Sequence, residues 1–196
     1  MFTGIIESTG IITDITISGT NKSFWVKSSI SAELKVDQSV AHNGVCLTIE
    51  EIERDCHKVT AIAETLEKTE LNDWAPGSYI NLERSILLST RVDGHFVQGH
   101  VDTTGICKKI KDKNGSNEFE FEFSKKFAPL IIEKGSISVN GISLTAFEVR
   151  KSSFKVAIIP YTFEHTNMKY LKEKEKVNLE FDMIGKYILR KMILNN

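Results

Sequence analysis

The chain says most things twice, and that repetition limits what it can become. Gly4-Ile5-Ile6-Glu7-Ser8-Thr9-Gly10-Ile11 aligns with Gly99-His100-Val101-Asp102-Thr103-Thr104-Gly105-Ile106 at a displacement of 95. Asn43-Gly44 falls on Asn140-Gly141 at 97, as do Thr65 on Thr162 and Asn81-Leu82-Glu83 on Asn178-Leu179-Glu180. Matches in the same order mark a tandem duplication. A solenoid unit runs to about 20–50 residues, so halves of this length are two similar domains, each long enough for its own core. The expected boundaries are residues 1–94 and 95–183, with 184–196 left as a tail.

The most informative repeated stretch is Ala41-His42-Asn43-Gly44-Val45-Cys46-Leu47-Thr48 against Val139-Asn140-Gly141-Ile142-Ser143-Leu144-Thr145. An Asn-Gly turn opens a strand whose residues alternate. Val45 and Leu47 (Ile142 and Leu144 in the second copy) take the core face, and Cys46 and Thr48 (Ser143 and Thr145) take the other, which is free to meet a ligand. Ser23–Lys27, Phe119–Phe123 and Phe154–Ile158 alternate as cleanly, between turn signals such as Ser18-Gly19-Thr20-Asn21 and Pro76-Gly77. Short strands at this spacing predict a small antiparallel barrel or sandwich in each half.

Helical signals are few. Ser124 to Gly135 has a serine at its start and a glycine at its end and predicts one short helix, with Ser29 to Lys35 as a weaker counterpart. Ile184, Ile188 and Met192, with Leu189 and Ile193 beside them, predict an amphipathic tail helix. It caps the second barrel or packs against another subunit. Lys169–Lys176 mixes charge signs and reads as a solvated turn.

Composition excludes several classes. Lysine plus arginine (25) balances aspartate plus glutamate (26), which leaves no basic footprint for nucleic acid and no polybasic membrane patch. No run approaches the length of a membrane span, and Met1–Glu7 lacks a signal-peptide pattern. Three cysteines, Cys46, Cys56 and Cys107, an odd count without paired spacing, argue against a disulfide framework. A reducing compartment, the cytoplasm, is the expected location. No histidine pair has zinc-site spacing, and Gly4 and Gly99 are isolated, outside any phosphate-binding loop.

Candidate chemistry lies where the copies differ. Cys46 is either a small packed strand residue or a thiol that meets a ligand, reactive if its pKa falls from about 8.5; its partner in the repeat is Ser143. His100 replaces Ile5, an ionisable residue type where the other copy has an aliphatic one, which suggests an asymmetric task. Lys134 answers to Asp37, and Asp182 to Ser85. His42 precedes a turn, His95 lies near the join, and His57 and His165 sit among charges; Cys56 and Cys107 read as structural. Such divergence suggests two similar pockets with unequal jobs.

Met1–Glu7, Ser39–Thr48, Gly94–Asp102, Asn140–Thr145 and Asp182–Tyr187 together resemble the riboflavin synthase family, across the whole chain. The resemblance implies an all-β protein of two six-stranded Greek-key barrels with short helices and a C-terminal helix, assembled as a homotrimer, with lumazine synthase as a further partner. It implies dismutation of two 6,7-dimethyl-8-ribityllumazine molecules into riboflavin and 5-amino-6-(D-ribitylamino)uracil, with no cofactor and no metal. By the same resemblance Ser39, Cys46, Leu47, Thr48, Ala63, Glu64, Thr65, Gly99, His100 and Val101 surround one lumazine. Gly4, Ile5, Ile6, Lys134, Ser143, Leu144, Thr145, Ile159, Thr162 and Asp182 surround the other. Cys46, His100 and Ser143 are the catalytic candidates. Many family members carry aspartate where this chain has Asn140, either a lost base or a residue that simply makes the turn. The rivals are a lumazine-binding antenna or carrier without chemistry, and an oligonucleotide-binding barrel pair, which would need the basic groove absent here.

Overall fold

A computed structural model describes residues 1–87, 89 and 91–195. The first half folds as β1 (Ser8–Ser18), β2 (Asn21–Lys27), β3 (Ser39–His42), β4 (Val45–Glu53), β5 (Cys56–Ala61), α1 (Ala63–Lys68) and β6 (Tyr79–Arg84). The second repeats it with β7 (Thr103–Asp112), β8 (Asn117–Glu122), β9 (Ser136–Val139), β10 (Ile142–Phe147), β11 (Ser153–Ile158), α2 (Pro160–His165) and β12 (Lys176–Phe181). A last helix, α3, spans Met183–Leu194. Each half closes into a six-stranded antiparallel barrel, in the order β1-β2-β5-β4-β3-β6 and, on the same plan, β7-β8-β11-β10-β9-β12. Even the irregularities repeat: β1 slips register against β2 between Ile12 and Asp14, and β7 against β8 between Cys107 and Lys109.

Alternation builds both cores. Phe24, Val26, Val45, Leu47, Ile49 and Val59 fill the first barrel, and Phe119, Phe121, Ile142, Phe154 and Val156 the second. Cys46 and Ser143 are half-buried on the opposite side of their strands, and Thr48 and Thr145 are exposed. Cys107 lies in the second core, while Cys56 is half-buried at the start of β5; all three thiols are free.

Three local expectations are corrected. Ser124–Gly135 does not form one helix: a 3₁₀ turn over Lys125–Leu130 contains Pro129, which removes a donor, and the chain leaves it extended at Ile131. Lys134, at φ +61°, takes the left-handed position expected of Gly135. The counterpart in the first half is only the 3₁₀ turn Ser31–Glu33. His57 does not sit among charges: alternation along β5 turns it inward, where it is fully buried beside His42.

α3 is capped by Asp182, whose carboxylate accepts from the Ile184 N–H at 2.9 Å. Ile184, Tyr187, Ile188, Met192 and Ile193 are all more than half exposed in the single chain. No helix among the described residues is long and apolar enough to cross a membrane.

Candidate functional site

The barrels are closed, but each has one splayed seam. β4 pairs with β3 over Val45–Thr48 and with β5 only from Ile49 onward. β10 pairs with β9 over Ile142–Thr145 and with β11 only at Ala146 and Phe147. The first residues of β4 and β10 therefore lack a strand neighbour on one side, and peptide groups along such an edge are left to bond a ligand. Outward-facing residues flank the first opening: Cys46 and Thr48 on β4, and Ser39 across the ladder from Thr48. Ala63, Glu64 and Thr65 follow at the start of α1, where β5 ends. At the second, Ser143 and Thr145 point outward on β10, Ile159 and Thr162 follow β11 at the start of α2, and exposed Lys134 precedes β9. Leu47 faces the core, so only its backbone is available to the seam, and Leu144 packs against the second core.

Each seam is closed at one end by a segment from the opposite half. The Ser143 N–H donates to the Gly4 carbonyl at 2.8 Å, and the Cys46 N–H to the Gly99 carbonyl at 2.9 Å. Ile6 packs on the second core and its counterpart Val101 on the first. These crossed arms meet each other where Phe2 and Val97 exchange N–H···O bonds of 2.7 and 3.0 Å. The close approach demands glycine: Gly4 and Gly99 sit at φ +77° and +81°, and a Cβ on either would stand 2.6 Å from the Cβ of Ser143 or Cys46. His100 follows Gly99 and is exposed beside the first seam; exposed Ile5 holds its place at the second.

A carboxylate pins each arm. Glu83 accepts from the Thr3 N–H, the Thr3 hydroxyl and the Gly4 N–H at 2.6, 2.7 and 3.0 Å. Glu180 accepts from the N–H groups of Gln98, Gly99 and His100 at 2.7, 2.9 and 2.9 Å. Burial raises both carboxyls above their ordinary pKa, and these donors act against that shift.

Between the barrels the two Asn-Gly turns abut. Asn43 and Asn140 both take φ +47°. The Asn140 side-chain oxygen accepts from the Asn178 N–H at 2.7 Å, and that of Asn43 from the Asn81 N–H at 2.6 Å. Across the joint, the Asn81 amide donates to the Asn140 carbonyl and the Asn178 amide to the Asn43 carbonyl, at 2.9 and 3.0 Å. Asn140 thus serves as a turn and joint residue.

His95 was not singled out by the repeat, since it has no partner there, yet it touches the second seam. Its Nδ1 lies 2.6 Å from the Ser143 hydroxyl. Burial lowers its pKa, with the Asp182 carboxylate acting in the opposite sense, so neutral imidazole is favoured and can accept the serine proton. Among the described residues, the first seam pairs Cys46 with nothing comparable. Its ionisable candidate, His100, stands on the arm. The two openings have one shape and two chemistries.

The lumazine binding domain family matches residues 3–85 and again 98–182. Riboflavin synthase of Bacillus subtilis is 37% identical over 191 residues, covering 97% of this chain and 89% of that protein. Riboflavin synthase of Mycobacterium bovis is 37% identical over 208 residues, covering 98% of each. Crystal structures of LumP, complexed with 6,7-dimethyl-8-(1'-D-ribityl) lumazine or with riboflavin, superpose with TM-scores of 0.85 and 0.87 at 19% identity, over 92% of this chain and 99% of LumP. At that identity the likeness to LumP speaks for the fold alone.

Proposed function

This chain belongs to the riboflavin synthase family of paired lumazine-binding domains, and from that premise we propose that it dismutates two molecules of 6,7-dimethyl-8-ribityllumazine to riboflavin and 5-amino-6-(D-ribitylamino)uracil. The observation that carries the reading is the repeated seam with unequal side chains. One lumazine donates a four-carbon unit and its twin accepts it, so two binding slots of one shape and different acid–base content suit the task. Every atom of the two substrates is accounted for in the two products, and no oxidant or reductant enters.

In this reading the first seam holds one lumazine against Ser39, Cys46, Thr48, Ala63 and Thr65, with His100 placed to carry a proton from a ring methyl group. The second holds its twin against Gly4, Ile5, Thr145, Ile159, Thr162 and Asp182. There the Ser143 hydroxyl, its proton directed at His95, adds to carbon 7 or delivers water to it. Proton transfer by a placed side chain is commonly worth about 10²–10⁴-fold, and holding two reactants face to face supplies much of a bimolecular barrier. The productive site forms between the first barrel of one subunit and the second barrel of a neighbour in a cytoplasmic homotrimer, with lumazine synthase as a further partner.

Purified protein given the lumazine alone is expected to release riboflavin and the pyrimidine in equal amounts. Bound, unchanged, fluorescent lumazine would instead establish a carrier, the role that the LumP fold permits. Cys46→Ser and His100→Gln are each expected to lower turnover about tenfold or more while leaving the fold intact; wild-type rates in both would remove these side chains from the mechanism.

The exposed apolar stripe on α3 is the surface this proposal assigns to trimer contacts. Ile188→Glu with Met192→Glu is expected to yield folded monomers by sedimentation, because charges at an apolar interface core disfavour association. An unchanged trimer would move the interface elsewhere.

A further inference from the structure

Glu83 and Glu180 take no part in the chemistry proposed above, yet each is buried and accepts three hydrogen bonds from one short segment of chain. What that segment touches is the informative point. Glu180 stands on β12 of the second barrel and binds three successive N–H groups, Gln98 to His100. The carbonyl of Gly99, in the middle of that run, receives the Cys46 N–H of the first barrel. Glu83, on β6 of the first barrel, binds Thr3 and Gly4, and the Gly4 carbonyl receives the Ser143 N–H of the second barrel. The arrangement is repeated, so the crossing is a property of the fold.

We propose that Glu83 and Glu180 are positioning residues that act crosswise, each fixing from its own barrel the arm that shapes the other barrel's seam. Glu180 sets the height of Gly99 over Cys46 and the place of His100, and so governs the first seam. Glu83 sets Gly4 over Ser143 and the place of Ile5, and so governs the second. A carboxylate suits this work because charge-assisted bonds to backbone N–H groups are short and strong, and a planar pair of oxygens fixes two or three donors at once. A glutamine in its place presents an NH₂ to donors that need an acceptor, and the arm loosens. The inference borrows from the proposed function only the meaning of the seams as ligand sites; the arm geometry stands apart from it.

Thiol protection reads the arms without any ligand. In a Cys56→Ser background, with Cys107 buried in the core, alkylation by iodoacetamide reports Cys46 under Gly99. Glu180→Gln is expected to speed that reaction about tenfold, the factor that corresponds to about 1.4 kcal/mol, and Glu83→Gln to leave it unchanged. With Cys46→Ser, Cys56→Ser and Ser143→Cys, the pattern inverts: Glu83→Gln accelerates alkylation at position 143 and Glu180→Gln does not. Glu180→Asp, which keeps the charge on a shorter stem, restores part of the protection at Cys46. The proposal is overturned if each substitution exposes the thiol of its own barrel, if both thiols respond alike, or if neither responds. Should a glutamine variant fail to fold, the aspartate variants at positions 83 and 180 are read in the same crosswise assay. Failure to make riboflavin would sink the proposed reaction and leave this result standing.

Discussion

Gly44→Ala and Gly141→Ala are each expected to lower the unfolding free energy by about 2–6 kcal/mol, reaching the uppermost range for single substitutions. Two costs add. Gly44 and Gly141 sit at φ +77° and +81°, where a residue with a Cβ is strained by about 1–3 kcal/mol. A Cβ on either would also stand 2.7 Å from the backbone nitrogen of the other, and overpacking of this kind costs typically about 1–3 kcal/mol. Because the obstruction lies between backbones, no side chain can swing aside to relieve it. Gly19→Ala and Gly77→Ala serve as controls: both positions have positive φ, at +61° and +92°, but open space where the methyl would go. Urea melts of the four variants separate the terms. If Gly44→Ala costs no more than Gly19→Ala, the abutting turns are not what couples the barrels.

Acid is expected to open the first barrel before the second. In the first core the His42 Nδ1 lies 3.0 Å from the Val40 carbonyl, which can only accept, so this nitrogen carries the proton. The bare Nε2 of His42 then accepts from the Nε2–H of His57 at 2.9 Å, and the His57 Nδ1 accepts from the Ser31 hydroxyl at 2.8 Å. Burial, which excludes the charged form, sets His57 at about 4 and His42 well below its ordinary value, with His57 adding to the shift of His42. Well above pH 6.5 both rings are neutral folded or unfolded, and they contribute no pH dependence. As pH falls below that value the unfolded chain takes up protons that the native core refuses, so stability falls. For His57 alone the loss approaches about 3 kcal/mol by pH 4, at 1.36 kcal/mol per unit. Glu70, Glu83 and Glu180, all raised by burial, work in the opposite direction where they protonate ahead of the unfolded chain.

The second barrel carries Val139 and Phe154 at the places of His42 and His57, and both are buried. The protein's two tryptophans, Trp25 and Trp74, belong to the first barrel. Their fluorescence is therefore expected to change between about pH 6 and 4 while hydrogen exchange still protects β8 and β11. His42→Val with His57→Phe should remove most of that acid transition. Simultaneous loss of both barrels at one pH in the wild type, or an unchanged transition in the double variant, would contradict this account.

Much of this was readable because alternation and duplication are both written in the order of residues. The outward placement of Cys46, Thr48, Ser143 and Thr145 follows from their neighbours Val45, Leu47, Ile142 and Leu144, which have to face a core. Asn43-Gly44 and Asn140-Gly141 announced their turns. The same alternation, applied to Cys56-His57-Lys58, turns His57 inward, whatever the charges of Asp55 and Lys58 beside it. The six-residue helices α1 and α2 escaped because they are too short to show a period, although Pro160 at the first turn of α2 was a usable start signal. His95 was hidden for a different reason. Its role depends on which barrel the 94–102 segment lies against, and the repeat shows that Gly4 resembles Gly99 without showing that each crosses over. Pairings between distant segments are settled by the closed shape of the molecule, which no local pattern encodes.

The crossing gives the peptide link between the halves an unusual status. A protease cut within exposed residues 91–94 would sever the covalent thread, but each fragment would still wear a lid tailored to its sibling and keep its amides engaged across the central contact. What the gene joins in one reading frame, the folded surfaces would hold together in two pieces.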